Sequence, residues 1–201
     1  MEYRAFIDLT LTRVLLINPP WHFLGLEEHA AKIQQVVLDS PARLVMCGSH
    51  FSSMMTPPKI FKKMMPFYQA FAERLHQRGK LMVCHADADT SLLLELLVEA
   101  GYDLMDSFVN APMVPVTLER ARAVFGNKVI IWGGLPSTLL CEPATDEEFE
   151  AHMRNLFRVI APGDAFILAV ADNIMMESKV ERLERVADMV EEFGAYPIRA
   201  G

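Results

Sequence analysis

The sequence predicts an α/β fold, a TIM-barrel-like (β/α) repeat that is shortened or incomplete, with five to six βα units. Three observations predict it. Between residues 43 and 194, short apolar runs alternate with amphipathic helical stretches. Each helical stretch closes on a glycine, the residue that reaches the left-handed conformation without a Cβ clash. The chain has 201 residues, whereas an eight-unit barrel typically takes about 250. Strands alternating with helices pair in parallel through right-handed crossovers. The pattern therefore reads as an incomplete barrel or an open doubly wound sheet. The whole chain, 1–201, is read as a single domain, with 1–40 an irregular amino-terminal segment.

The elements follow in order. Within the first 40 residues, "RVLLIN" (13–18) can form a strand and "EEHAAKIQQVVLDS" a helix. "RLVMC" (43–47) is a strand. "TPPKIFKKMMPFYQAFAERLHQRG" is a helix with Thr56 as N-cap and Pro57 at its first position, broken or kinked at Pro66. "KLMVCH" (80–85) is a strand and "TSLLLELLVEAG" a helix. "YDLMDSFV" (102–109) is a strand and "TLERARAVFG" a short helix. "KVIIWGG" (128–134) is the clearest strand. "TDEEFEAHMRNLFRVIAPG" opens with a capping box, Thr145 and Glu148. "AFILAV" (165–170) is a strand, and "SKVERLERVADMVEEFG" repeats the capping box at Ser178 and Glu181. "AYPIRAG" is a last short strand or a tail. The strands are almost uniformly apolar, as expected of a sheet covered on both faces.

Composition narrows the function classes. The net charge is −7 and no Lys/Arg cluster is present, which excludes a nucleic-acid backbone as partner. No apolar run approaches the roughly 18 residues of a membrane span. The start "MEYRAFIDLT" does not read as a signal peptide. Three widely spaced cysteines give no disulfide framework, so the expected location is cytoplasmic. The 13 methionines read as flexible core filler.

The unusual polar residues fall just after strand ends. Ser49 and His50 follow the first strand, and His85, Asp87 and Asp89 the second. Asp106 and Asn110 close the third, Gly133 and Gly134 the fourth, Asp172 and Asn173 the fifth. In parallel α/β folds that rim is where sites are built. Asp89 precedes a helix and is expected to cap it. Cys84 should point into the core, opposite His85. At least one of Asp103 and Asp106 should be a surface residue. His85 and Asp87 alternate along an extended chain, so both face one side. Such a pair can hold a metal, orient a substrate, or act as acid and base.

Three segments carry a family resemblance: "FYQAFAERLHQRGKLMVCHADAD", "GGLPSTLLCEPATDEEFEAHM" and "ILAVADNIMMESKVERLERVADMVEEFGAYP". Together they resemble the carboxyl-terminal part of the uroporphyrinogen decarboxylase superfamily, over roughly residues 43–198. The superfamily includes a tetrapyrrole decarboxylase of porphyrin metabolism and corrinoid-linked methyltransferases, both (β/α) barrels. The resemblance implies an enzyme, a methyltransferase or a carboxy-lyase. Methyltransferases of the family hold zinc with His-x-Cys and a later Cys, at positions that fall on His85, Asp87 and Asp172. The resemblance thus implies a metal site at these three residues, with His85 and Asp87 catalytic. Two thiolates are replaced by carboxylates, which opens the site to Mn or Fe beside Zn. His50, Asn110, Gly133, Gly134 and Asn173 are expected to bind substrate. The decarboxylase branch uses an arginine-rich amino-terminal segment, and no equivalent is found here. The implied partners are a small-molecule substrate, a corrinoid or corrinoid protein, and a second copy or complementing barrel half. A non-catalytic, split-barrel protein is the alternative of a different class.

Overall fold

A computed structural model describes residues 14–17 and 27–199. The elements run β1 (Val14–Ile17), α1 (Glu27–Asp39), β2 (Leu44–Ser49), α2 (Pro58–His76), β3 (Leu81–His85), α3 (Leu94–Glu99) and β4 (Leu104–Phe108). There follow α4 (Leu118–Phe125), β5 (Ile130–Pro136), a 3-10 turn (Ser137–Leu140), α5 (Asp146–Ile160), β6 (Phe166–Ala171) and α6 (Val180–Phe193). The six strands form one sheet in the order β1-β2-β3-β4-β5-β6, and every pairing is parallel. Sequential order with parallel pairing is the wall of a barrel, here opened out, so the expected partial (β/α) barrel is found. All strand carboxyl ends meet on one rim, because parallel strands run the same way.

The helices cover the sheet through their apolar faces. In α2 the residues Phe61, Met65, Tyr68, Phe71, Ala72 and Leu75 are buried. Their spacing of three and four places them on one helical face. In α5 the corresponding face is Phe149, Met153, Leu156, Phe157 and Ile160. The expected Thr145–Glu148 capping box forms in both directions, at 3.2 and 2.8 Å. Cys84 lies fully within the core, as its alternation with His85 predicts.

Four local expectations are corrected. Pro66 does not break α2, which runs through it for 19 residues. The burial of the face on either side of Pro66 outweighs the one lost hydrogen bond. Thr56 is not the N-cap of α2. Pro57 holds that place, and the Thr56 N–H donates to Ser52 O at 2.8 Å. Ser178 does not cap α6. Its hydroxyl lies 3.4 Å from Cys141 Sγ, and Lys179 is the N-cap. The helix after β3 is short, because residues 91–93 form a turn ahead of Leu94. The Asp89 carboxylate accepts the Ser91 N–H at 2.9 Å and so caps that turn. The expected strand or tail at 195–201 holds no strand over 195–199. No helix among the described residues is long and apolar enough to cross a membrane.

Arg182 fastens α6 to the β5–α5 connection. Its guanidinium is buried and donates to Leu139 O at 2.8 Å, Cys141 O at 3.3 Å and Ala144 O at 2.7 Å. It also donates twice to Asp146 Oδ1, at 2.9 and 2.7 Å. Three main-chain carbonyls and one carboxylate thus depend on one side chain. Removing it leaves several acceptors without a donor. The variant Arg182→Met is expected to lose about 3 kcal/mol. Thermal unfolding should show a fall in Tm of roughly 10 °C.

Candidate functional site

The site is built where β2, β3 and β4 end. Register between β3 and β4 sets His85 directly beside Asp106. Neighbouring residues on paired strands project to the same face, so imidazole and carboxylate meet. His85 Nδ1 lies 2.7 Å from Asp106 Oδ2. With Asp106 accepting, Nδ1 carries the proton and Nε2 is left facing Asp87. The Asp106 hydrogen bond is the main cause that raises the His85 pKa above its ordinary value. Partial burial opposes the rise, and the charges of Asp87, Asp106 and Asp172 assist it.

Asp87 sits two residues beyond His85, in the loop after β3. Its Oδ2 lies 3.5 Å from His85 Nε2 and 2.6 Å from His50 Nδ1. Its Oδ1 is buried and has no hydrogen-bond partner. His50 reaches this point because β2 is irregular at its end. The β2–β3 register shifts between Met46 and Ser49. Gly48 takes φ +88°, where a Cβ would lie 2.6 Å from the Phe51 ring. His50 itself takes φ +55°, and its N–H donates to His85 O at 3.3 Å. The two imidazoles end edge-to-face, with ring centres 5.5 Å apart. His50, His85 and Asp87 each offer a ligand atom, and the three atoms lie within 4.8 Å of one another.

Asp172 stands differently from what the resemblance implied. It is close enough to act electrostatically on His85 but is not one of the three clustered ligand groups. Asp172 is exposed, adopts φ +63°, and its Oδ1 accepts from Asn173 Nδ2 at 3.0 Å. His50, expected only to line the pocket, occupies the third position instead. Asn110 is buried beyond β4. Its amide nitrogen donates to Ala111 O at 3.3 Å, and its Oδ1 has no partner. Gly133 and Gly134 were expected to admit a ligand. A Cβ on Gly133 would lie 2.6 Å from Phe108 O, and one on Gly134 would lie 2.7 Å from the Phe166 ring. Close packing against β4 and β6 therefore accounts for both glycines.

Asp106, which meets His85 in the structure, is the rim residue that the sequence did not mark as a ligand or catalytic group. Its signal was its place at the end of the strand after His85, and only strand register turns that place into contact. Elsewhere on the rim, a cavity of about 540 Å³ is lined by Pro112, Leu139, Pro143, Glu148 and His152, with none of the clustered residues. His152 there sits 2.9 Å from Gly134 O, and burial lowers its pKa.

The His85–Asp106 bond makes stability depend on pH in the metal-free protein. The His85 pKa is raised above 6.5 in the folded state. The bond's contribution is therefore full below that value and is lost as pH rises through the raised one. The Tm difference between wild type and Asp106→Asn is expected to be larger at about pH 5.5 than at about pH 9. Thermal melts in the presence of a chelator measure it.

The chain was compared with known proteins. No curated protein matches it. Among solved structures it is similar to a methyltransferase from Methanosarcina mazei, at 14% identity with a TM-score of 0.57. That alignment covers 84% of this chain and 48% of the other, so the chain spans about half the length of that relative. At this identity the likeness speaks for the fold. The family described as Uroporphyrinogen decarboxylase (URO-D) matches residues 26–193. That span takes in β2 to α6 and with them every residue of the rim cluster, and the chain belongs to the uroporphyrinogen decarboxylase family.

Proposed function

We propose that the chain is a methyltransferase-type member of this family, with a divalent-metal centre formed by His50, His85 and Asp87. The observation that carries the reading is the meeting of three ligand atoms within 4.8 Å, beside a carboxylate that orients one of them. The residues fit a metal ion. Asp87 Oδ1 is a buried oxygen with no partner, and His85 presents Nε2 while Asp106 holds Nδ1. A carboxylate behind a ligating histidine is a recurrent support of metal sites. Two imidazoles and one carboxylate suit Zn, Mn or Fe(II), and are harder than the thiolate sets of related enzymes.

A divalent ion at this point supplies Lewis-acid activation, lowering the pKa of an acceptor group. The remaining work belongs to the chain. Asp106 fixes the His85 ring and raises its basicity as a ligand. Asn110 Oδ1 offers a buried acceptor to a substrate N–H or O–H. Asp172 and Asn173 follow β6 on the same rim. Met54, Met55, Met175 and Met176 are exposed on the loops after β2 and β6 and offer apolar surface to a substrate or a corrinoid. The methyl donor is proposed to be a small methylated compound or a corrinoid, free or carried on a partner protein.

Titration of the metal-free protein with Zn, Mn and Fe(II) tests the centre. About one ion per chain is expected, with binding lost in His85→Ala and Asp87→Ala and kept in Asp172→Ala. Asp106→Asn is expected to weaken binding about 10–100-fold. Protons compete for the imidazoles, so affinity should fall as pH drops through the histidine range. Methyl transfer from methylcobalamin to a small thiol, followed by absorbance, tests the activity. Loss of a carboxyl group from a porphyrinogen, with no methyl transfer, would assign the chain to the other branch. Absence of bound metal in wild type and variants alike removes the proposed centre.

A further inference from the structure

We propose that the cavity between the β4–α4 loop and α5 binds a small protonated organic amine, held through Glu148 and His152. The inference stands apart from the metal centre, because none of the residues lining this cavity belongs to the cluster. All of them lie between the end of β4 and the middle of α5. β4 and β5, whose carboxyl ends carry this region, are each paired with a strand on both sides.

The cavity has the size and make-up of a ligand site. Its volume is about 540 Å³, and small-molecule sites run from roughly 300 to 1,000 Å³. Its wall is apolar at Pro112, Leu139 and Pro143. That wall is held in place by the chain itself. The Arg182 guanidinium donates to the Leu139 and Ala144 carbonyls at 2.8 and 2.7 Å. The Ser137 hydroxyl lies 3.6 Å from Met113 Sδ, which ties the turn after β5 to the loop that carries Pro112.

Three polar side chains, Thr138, Glu148 and His152, interrupt the apolar wall. The Gly134 carbonyl can only accept, so its 2.9 Å contact with His152 places a proton on Nε2. Burial holds the His152 pKa below its ordinary value, and a neutral ring protonated at Nε2 keeps a lone pair at Nδ1. Nδ1 makes no hydrogen bond among the described residues and is open to solvent, on a side chain that lines the cavity. Glu148 spends one oxygen on the capping box, where Oε2 accepts the Thr145 N–H at 2.8 Å. The box fixes the carboxylate and leaves Oε1 over.

These groups select the ligand by charge and by hydrogen bonding. Two acceptors, one of them anionic, meet in a cavity whose lining holds no lysine or arginine. An anion would find a single side-chain donor there, the Thr138 hydroxyl. The start of α5 gives it no help, since Asp146, Glu147 and Glu148 fill the first turn and already answer the helix dipole. A protonated amine brings charge opposite to Glu148, and N–H donors for Oε1 and Nδ1. Hydrogen bonds of this charged kind are the strong ones. The apolar body of the amine takes the wall.

Calorimetric titration of the metal-free protein with benzylamine at neutral pH tests the site, with benzoate and benzyl alcohol as anionic and neutral counterparts. About one benzylamine per chain is expected, with roughly tenfold weaker binding of benzyl alcohol and none of benzoate. Glu148→Gln should weaken benzylamine binding roughly tenfold. Glutamine also completes a capping box, so the Tm of this variant should stay close to wild type. His152→Gln keeps a side-chain N–H for the Gly134 carbonyl, deletes Nδ1, and should weaken binding as well. His85→Ala should bind benzylamine as wild type does, which separates the cavity from the metal centre. Absence of benzylamine binding overturns the proposal. So does benzoate binding as tightly as benzylamine, or an unchanged affinity in Glu148→Gln. Loss of binding in His85→Ala overturns it too, because the amine then sits at the rim cluster.

Discussion

The β3–β4 register is the constraint on which the site depends. It sets His85 opposite Asp106, and nothing in either strand alone would do so. A slip of one residue would turn the Asp106 side chain to the other face of the sheet. The register is held from several sides. Cys84 and Met105, paired one step earlier, are both fully buried on the opposite face. The Ala86 N–H donates to Asp106 O at 2.7 Å, and the Val109 N–H donates to Ala86 O at 3.2 Å. Asp103 adds a side-chain clamp, its Oδ2 accepting from the Met82 N–H at 2.7 Å. The polar pair on the rim is thus positioned by apolar packing beneath it. Burial in the core also pushes the Cys47 pKa up to about 12, which keeps that thiol out of the chemistry.

His50 is positioned by a different device, a strand that ends in backbone strain. Left-handed φ at a residue other than glycine costs of order 1–3 kcal/mol and persists only where the surroundings enforce it. The enforcement here is aromatic. Phe51 packs edge-on against Phe61 and Tyr68, at ring-centre distances of 5.2 and 5.7 Å. Tyr102 donates its hydroxyl to Cys47 O at 2.6 Å and pins the strand just before the bend. The Phe51 ring and the Tyr102 hydroxyl occupy the space a side chain at position 48 would need. The bend, the glycine and the aromatic cluster therefore form one unit, which turns His50 onto Asp87.

Much of this was legible in the sequence, and the parts that were not share a cause. Apolar runs, glycine stops and the Thr145–Glu148 box are local signals, and the elements they predicted are present. The placing of polar residues after strand ends pointed to the rim where His50, His85, Asp87 and Asp106 come together, and alternation put His85 and Asp87 on one side. Asp106 was not legible as a partner, because alternation within a strand says nothing about register with its neighbour. That His50 rather than Asp172 lies in the cluster goes with two loop conformations of positive φ, which alternation along a strand does not foretell. Gly133 and Gly134 were read as letting backbone approach a ligand closely, and the close approach found there is to Phe108 and Phe166. Pro66 was read as a break or a kink, and with a buried face on both sides the helix continues through it without a break.

The electrostatics of the rim bear on the choice among ligands. Asp87, Asp106 and Asp172 all act on one imidazole, and each favours its charged form. Two buried oxygens nearby, Asp87 Oδ1 and Asn110 Oδ1, have no donor within the protein. Buried acceptors without donors are uncommon and costly. An anionic ligand would add to this excess and leave both oxygens unpaired. A cation, or a substrate that brings N–H or O–H groups, offsets the charge and supplies the missing partners. The same argument weighs against a substrate held through many carboxylates, because the rim cluster offers such a substrate acceptors where it needs donors. On the proposed reading, a divalent ion at Asp87 answers the charge, and a donor on the methyl acceptor answers Asn110.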